Sequence, residues 1–194
     1  MHPRHPIETF SRMNKRKEIH MLQNAPMYSY IPEYLPALSE AVAWIIAEPN
    51  THALIHALKE EIKQTPEPFV WAVLDLQTIS GYLPDNIKSC WIFALKKDTP
   101  SGCHYHPNSI QHMAMIEGEG TAKIGSSTSE MKRLDAANGS LPDVWYVIDE
   151  GVPHEFFPRR SDMVVISFHT CAANELEEIS CDSGVTRIYE PVLR

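Results

Sequence analysis

The chain has 194 residues, 43% hydrophobic and 22% charged, which suits one domain with an extension and a sizeable core. A net charge of −8 argues against nucleic acid as a partner. The longest apolar run, 41–47, is far too short for a membrane span, and the N-terminus lacks the apolar core of an export signal.

Residues 1–32 are polar and irregular, and the basic cluster Arg12, Lys15, Arg16 and Lys17 reads as a solvated terminal segment. From Pro36 to Ala47 the residues Leu38, Val42, Ile45 and Ile46 recur at helical spacing, and Pro49 is expected to end that helix. Asn50 or Thr51 is placed to cap a second helix. Its apolar stripe is Leu54, Ile55, Leu58 and Ile62, its wet face Lys59, Glu60, Glu61 and Lys63, and Pro66 and Pro68 stop it. His52 and His56, four apart on this helix, read as an exposed pair rather than as ligands.

The pattern then changes to strands. Phe69–Leu76, Ser89–Leu95, Gln111–Glu117, Thr121–Ile124, Val144–Ile148, His154–Phe157 and Met163–Phe168 are short runs rich in β-formers, and 126–142 is turn-rich. Many short strands at such spacing suit a sandwich or barrel. The tail, with Glu175, Glu177 and Glu178, reads as helical and then extended. Cys90, Cys103, Cys171 and Cys181 show no Cys-x-x-Cys spacing; without an export signal they read as free thiols in a reducing cytoplasm.

The chemistry concentrates around residues 100–120. His104 and His106 stand two apart, so an extended strand presents both imidazoles on one face. A third imidazole, His154, opens a later strand after a turn at Gly151 and Pro153. Cys103 and Tyr105 fall on the opposite face from the two histidines, and His112 points away if Gln111 points in. Either Met113 and Met115 or Ala114 and Ile116 line the interior, so the pocket is modest and apolar. Arg159 and Arg160 read as a solvated turn.

These residues resemble the two motifs of the cupin family. In the first, His104 and His106 are followed after four residues by Gln111, where the family has Glu, and after six more by Gly118; in the second, Gly151 precedes His154. The likeness spans about 88–170, with Asp98 in place of the Gly that opens the first motif, Asp149 for a Pro and Pro158 for an Asn. It implies a mainly β jelly-roll barrel over 68–172, with a helical N-terminal extension over 1–67 and a tail over 173–194 that packs on the barrel. His104, His106 and His154 become the ligands of one divalent transition metal, with Fe(II) favoured and Zn or Ni also fitting, because the amide of Gln111 is a poor ligand and open positions remain.

The run His106-Pro-Asn-Ser also resembles the cysteine dioxygenase branch of the family, although Cys171 and Gln111 stand where that branch has a Tyr and a cross-linking Cys. By that likeness His169, fifteen residues after His154, orients a neighbour or moves a proton; its alternative is a core histidine with satisfied hydrogen bonds. Gln111 is placed to hydrogen-bond a bound substrate or water. The expectation is a mononuclear non-haem Fe(II) dioxygenase-like enzyme, forming a homodimer and acting on a small chelating anionic molecule. A non-catalytic ligand-binding or sensor cupin, and a Zn-dependent isomerase or hydrolase, are the alternatives.

Overall fold

The computed structural model describes residues 35–79, 83–134 and 141–189, so the reading of 1–32 lies outside the described residues. Among the described residues two helices come first, α1 (Leu35–Ala47) and α2 (Pro49–Gln64). α1 ends at Ala47 as expected, with Glu48 held extended before Pro49, and Pro49 also begins α2: it sits at the first helical position, where its missing N–H has no partner to lose. The expected cap at Asn50 or Thr51 is absent, since the capping position is Glu48 and no side chain caps there.

Eleven strands follow. They are β1 (Phe69–Leu74), β2 (Ser89–Leu95), β3 (His104–Tyr105), β4 (Gln111–Glu117), β5 (Gly120–Ile124), β6 (Ser127–Glu130), β7 (Trp145–Ile148), β8 (His154–Pro158), β9 (Met163–His169), β10 (Glu177–Ser180) and β11 (Thr186–Ile188). One sheet has the order β1-β2-β9-β4-β7 and the other β11-β10-β3-β8-β5-β6. Every pairing is antiparallel. Within them, β2-β9-β4-β7 packs on β3-β8-β5-β6, the two interleaved Greek keys of a jelly roll. The fold class expected from the sequence, a cupin-type jelly-roll barrel with a helical N-terminal part, is the fold observed.

The two sheets differ in what covers them, and the sequence shows why. β2 and β9 are apolar almost throughout because both of their faces are buried. Cys90, Ile92 and Ala94 with Val164, Ile166 and Phe168 turn toward Val42, Ile45, Leu58 and Ile62 of the helices. Trp91, Leu95, Met163 and Val165 turn the other way, into the barrel against Ile124 and Phe156. β5 and β8 alternate in burial, as strands with one wet face do. The question of which β4 residues face inward is settled by the same parity: Met113 and Met115 enter the barrel, and Ala114 faces the helices.

Among the turns with a residue in the left-handed region, two bear on the sequence pattern. Gly118 has φ +88°, and a Cβ there would sit 2.4 Å from the Asp162 carbonyl oxygen, so no other residue fits the β4–β5 corner. Asp98 also lies in the left-handed region, at φ +55°. The Gly of the family motif is therefore replaced by one of the few side chains that tolerate the same conformation.

Three sequence expectations are corrected. The turn-rich stretch 126–142 contains β6, which closes a hairpin on β5. The tail is not helical beyond one short turn at Ala173–Glu175; it forms the β10–β11 hairpin and adds to the sheet beside β3. Cys103 and Cys181 are joined in a disulfide across 78 residues, leaving Cys90 and Cys171 as free thiols. The pairing follows from the tail docking, which brings Cys181 N–H to the Cys103 carbonyl at 3.0 Å. The expectation of a cytoplasmic protein drew partly on free thiols and loses that support. Among the described residues no helix is long and apolar enough to cross a membrane.

Candidate metal centre

His104 and His154 are directly opposed on the paired strands β3 and β8, and His106 follows just beyond β3. Each offers a ring nitrogen, and the three nitrogens lie within 4.8 Å of one another, all in buried residues. Their tautomers follow from simple hydrogen-bond chemistry. The Nδ1 of His104 lies 2.9 Å from the Gly102 carbonyl oxygen, that of His106 2.8 Å from Glu177, and that of His154 3.0 Å from Val152. A carbonyl only accepts, so each Nδ1 carries a proton, and in the neutral imidazole Nε2 then keeps the lone pair. Burial and the neighbouring imidazoles hold His106 down to about 4 and His154 well below the usual histidine value, so both stay neutral. Among the described residues the buried Nε2 of His154 has no hydrogen-bond partner.

A divalent transition metal fits this donor set. Three convergent lone pairs on neutral imidazoles, oriented by backbone carbonyls, are what such an ion takes from protein. Gln111 gives a second sign. It is 4% exposed and borders the cavity; its Nε2 donates to Ser167 Oγ at 2.9 Å, while its Oε1 finds no partner. Cys103 and Tyr105 lie off this face as expected, and Tyr105 pairs with Ile179 of the tail.

His169 is placed beneath the site and not on its surface. Its Nε2 lies 3.0 Å from Ser167 Oγ and its Nδ1 3.1 Å from Ser109 Oγ. Ser109 donates its own proton to the Ile110 carbonyl, so it accepts from His169 Nδ1–H, and His169 Nε2 accepts from Ser167. The chain Gln111, Ser167, His169, Ser109 is thereby directional from end to end. His169 is fully buried with both nitrogens engaged; it holds Gln111 in place through Ser167. His112 is also buried, on the face of β4 that it shares with Ala114 and away from the cluster. Arg159 pairs with Glu130 at 2.9 Å and Arg160 with Glu119 at 3.9 Å, both arginines well exposed.

The cavity beside the histidines measures about 30 Å³, room for an ion and about one or two waters. Phe69, Phe93, Leu95, Phe156 and Val165 make it apolar, and among the described residues no lysine or arginine lines it. Two lining residues come from the tail, Glu178 and Tyr189. Sequence reasoning missed both, along with Asn108, whose amide clamps the tail by donating to the Glu175 carbonyl at 2.6 Å and accepting from Glu177 N–H at 3.3 Å. No local pattern marks them, because their place depends on a hairpin returning to β3 from more than 70 residues away.

No protein-family profile matches the chain, and no curated protein sequence does. Solved structures of similar shape include a salicylate 1,2-dioxygenase variant from Pseudoaminobacter salicylatoxidans, 14% identical, TM-score 0.46, over 61% of this chain and 33% of that one. Vicilin from Corylus avellana is 15% identical, TM-score 0.45, over 60% and 33%. An oxalate oxidase in complex with glycolate is 16% identical, TM-score 0.41, over 55% and 52%, so about half of that protein's length is spanned. The likeness to cysteine dioxygenase is not shown.

Proposed function

We propose that the protein is a mononuclear metal-binding cupin, a dioxygenase-like enzyme that uses Fe(II) on His104, His106 and His154 and acts on a small chelating anion. The observation that carries this reading is the convergence of three Nε2 lone pairs, each fixed by an Nδ1–H donated to a backbone carbonyl. Neutral imidazoles leave the metal most of its charge, and bound Fe(II) supplies a redox-active cation with open positions for a chelating substrate and O2. The apolar walls from Phe69, Phe93 and Phe156 exclude water and strengthen each electrostatic contact made inside. Gln111 Oε1 is available to accept a hydrogen bond from a bound molecule, and its amide is held by Ser167 and His169. With no basic side chain among the described residues that line the cavity, the metal is the counter-charge for an anion, and the cavity volume favours a molecule of few atoms.

The test is oxygen uptake by tag-free protein loaded anaerobically with Fe(II), across small thiols, β-diketones and hydroxy acids. Uptake with a chelating anion, lost in H154A, is the expected result. Tight reversible binding of one such anion without uptake would point instead to a ligand-holding module, and activity with Zn but not Fe(II) to a hydrolase or isomerase.

A further inference from the structure

We propose that Glu178, on the tail strand β10, is the anionic fourth ligand of the metal centre, supplying the charge that Gln111 lacks. The inference rests on the metal-site reading above and deepens it. Glu178 borders the cavity and is the one carboxylate among its lining residues. Its Oε2 lies 3.7 Å from Nε2 of His104, approaching the cluster from that side. In the neutral ring, with His104 Nδ1–H donated to Gly102, this Nε2 bears a lone pair. A lone pair and a carboxylate oxygen facing each other on two buried residues repel unless a cation lies between them. Metal–nitrogen and metal–oxygen bonds of about 2.0–2.2 Å put neighbouring donor atoms on one ion roughly 3.0–3.5 Å apart, close to this 3.7 Å separation; the carboxylate stands outside the 4.8 Å cluster of the three imidazoles, so it must move toward the other two to ligate.

The rest of the carboxylate is already oriented, as ligating carboxylates are. Tyr189 O–H donates to Oε2, and the Arg187 guanidinium, directly across the hairpin, lies 3.4 Å from Oε1. Burial and the Glu178 charge push the Tyr189 phenol well above its usual value, so it remains a donor. The residue before Glu178 serves the same site, since the Glu177 carbonyl takes the His106 Nδ1 proton. One short strand thus sets the tautomer of one histidine and presents an anion beside another. A dication on three imidazoles and one carboxylate carries a single net positive charge. The matching ligand class is a small monoanion; a dianion would leave net negative charge in an apolar cavity.

The experiment compares metal-free wild type and E178Q, each titrated with Co(II), reading Kd and the visible absorption of the bound ion. E178Q is expected to bind about 10–100-fold more weakly, with an altered Co(II) spectrum. Equal affinity and an unchanged spectrum would overturn the role of Glu178 while leaving the three-histidine site standing; a proton shared with His104 would then explain the 3.7 Å approach. Wild type that binds no Co(II) at all would remove the metal reading and this inference with it. Should E178Q not fold, E178D keeps the charge but retracts it by one methylene, and the same two readings decide.

Discussion

A backbone carbonyl decides which nitrogen each clustered imidazole presents, and this makes the site readable residue by residue. The glutamine at 111 is the informative departure. Its amide is held by Ser167 at 2.9 Å with Oε1 turned loose beside the cavity. Gln111→Glu keeps the shape and adds a charge, so it is expected to tighten metal binding by about tenfold, roughly 1.4 kcal/mol, and to weaken binding of an anionic ligand. Calorimetric titration checks both, and no change in either would mean that residue 111 does not act on the cation. The three histidines and Gln111 were legible in the sequence because strand parity and motif spacing are local properties. The placement of His169 was not. Parity turned it inward, but the two serines that occupy its nitrogens are distributed over separate segments, and only the fold assembles them.

At the scale of elements, the strands of the jelly roll were legible and the tail was not. Glu175, Glu177 and Glu178 have weak β-propensity, and a local reading makes them helical. Glu177 and Glu178 become strand because β3, paired on one side with β8, offers a free edge on the other. Asn108 and the Cys103–Cys181 bond then hold the hairpin there. Closing 78 residues constrains the unfolded chain by about 4.5 kcal/mol in the loop-entropy account. Reduction is therefore expected to lower Tm by roughly 10 °C. C103S should reproduce that loss and remove the sensitivity to reductant. Scanning calorimetry with and without a thiol reductant reads it, and identical Tm values would show that the bond does not clamp the tail. The start of α2 was missed for a different reason: a proline reads equally as a stop for one helix and as the first residue of the next.

At the scale of the molecule, burial lowers the proton affinity of four imidazoles among the described residues, and they link folding to pH. His106 and His112 are held down to about 4, and His154 and His169 well below the usual value, in each case chiefly by burial. In the unfolded chain all four take up a proton near pH 6.5, which the native state refuses until the pH is far lower. The stability they contribute is therefore complete above pH 6.5 and falls as the pH drops toward 4, by up to about 1.4 kcal/mol per pH unit for each imidazole. Urea unfolding of metal-free protein at pH 7, 6 and 5 should show a steadily falling midpoint; a flat midpoint would mean that these histidines are solvated. The same burial marks a division of labour in the fold. One sheet is covered by helices on its outer face and by the barrel contents on the other, and it forms the stable wall. The other sheet carries the imidazole cluster, and the tail that completes it is an edge addition.

The most direct measurement is the metal content of tag-free protein reconstituted with Fe(II) and then freed of loose ions, compared with H154A and H112A. One ion per chain in wild type, most of it lost in H154A and kept in H112A, is the predicted result. Wild type without bound metal, or H154A retaining as much as wild type, would contradict the account.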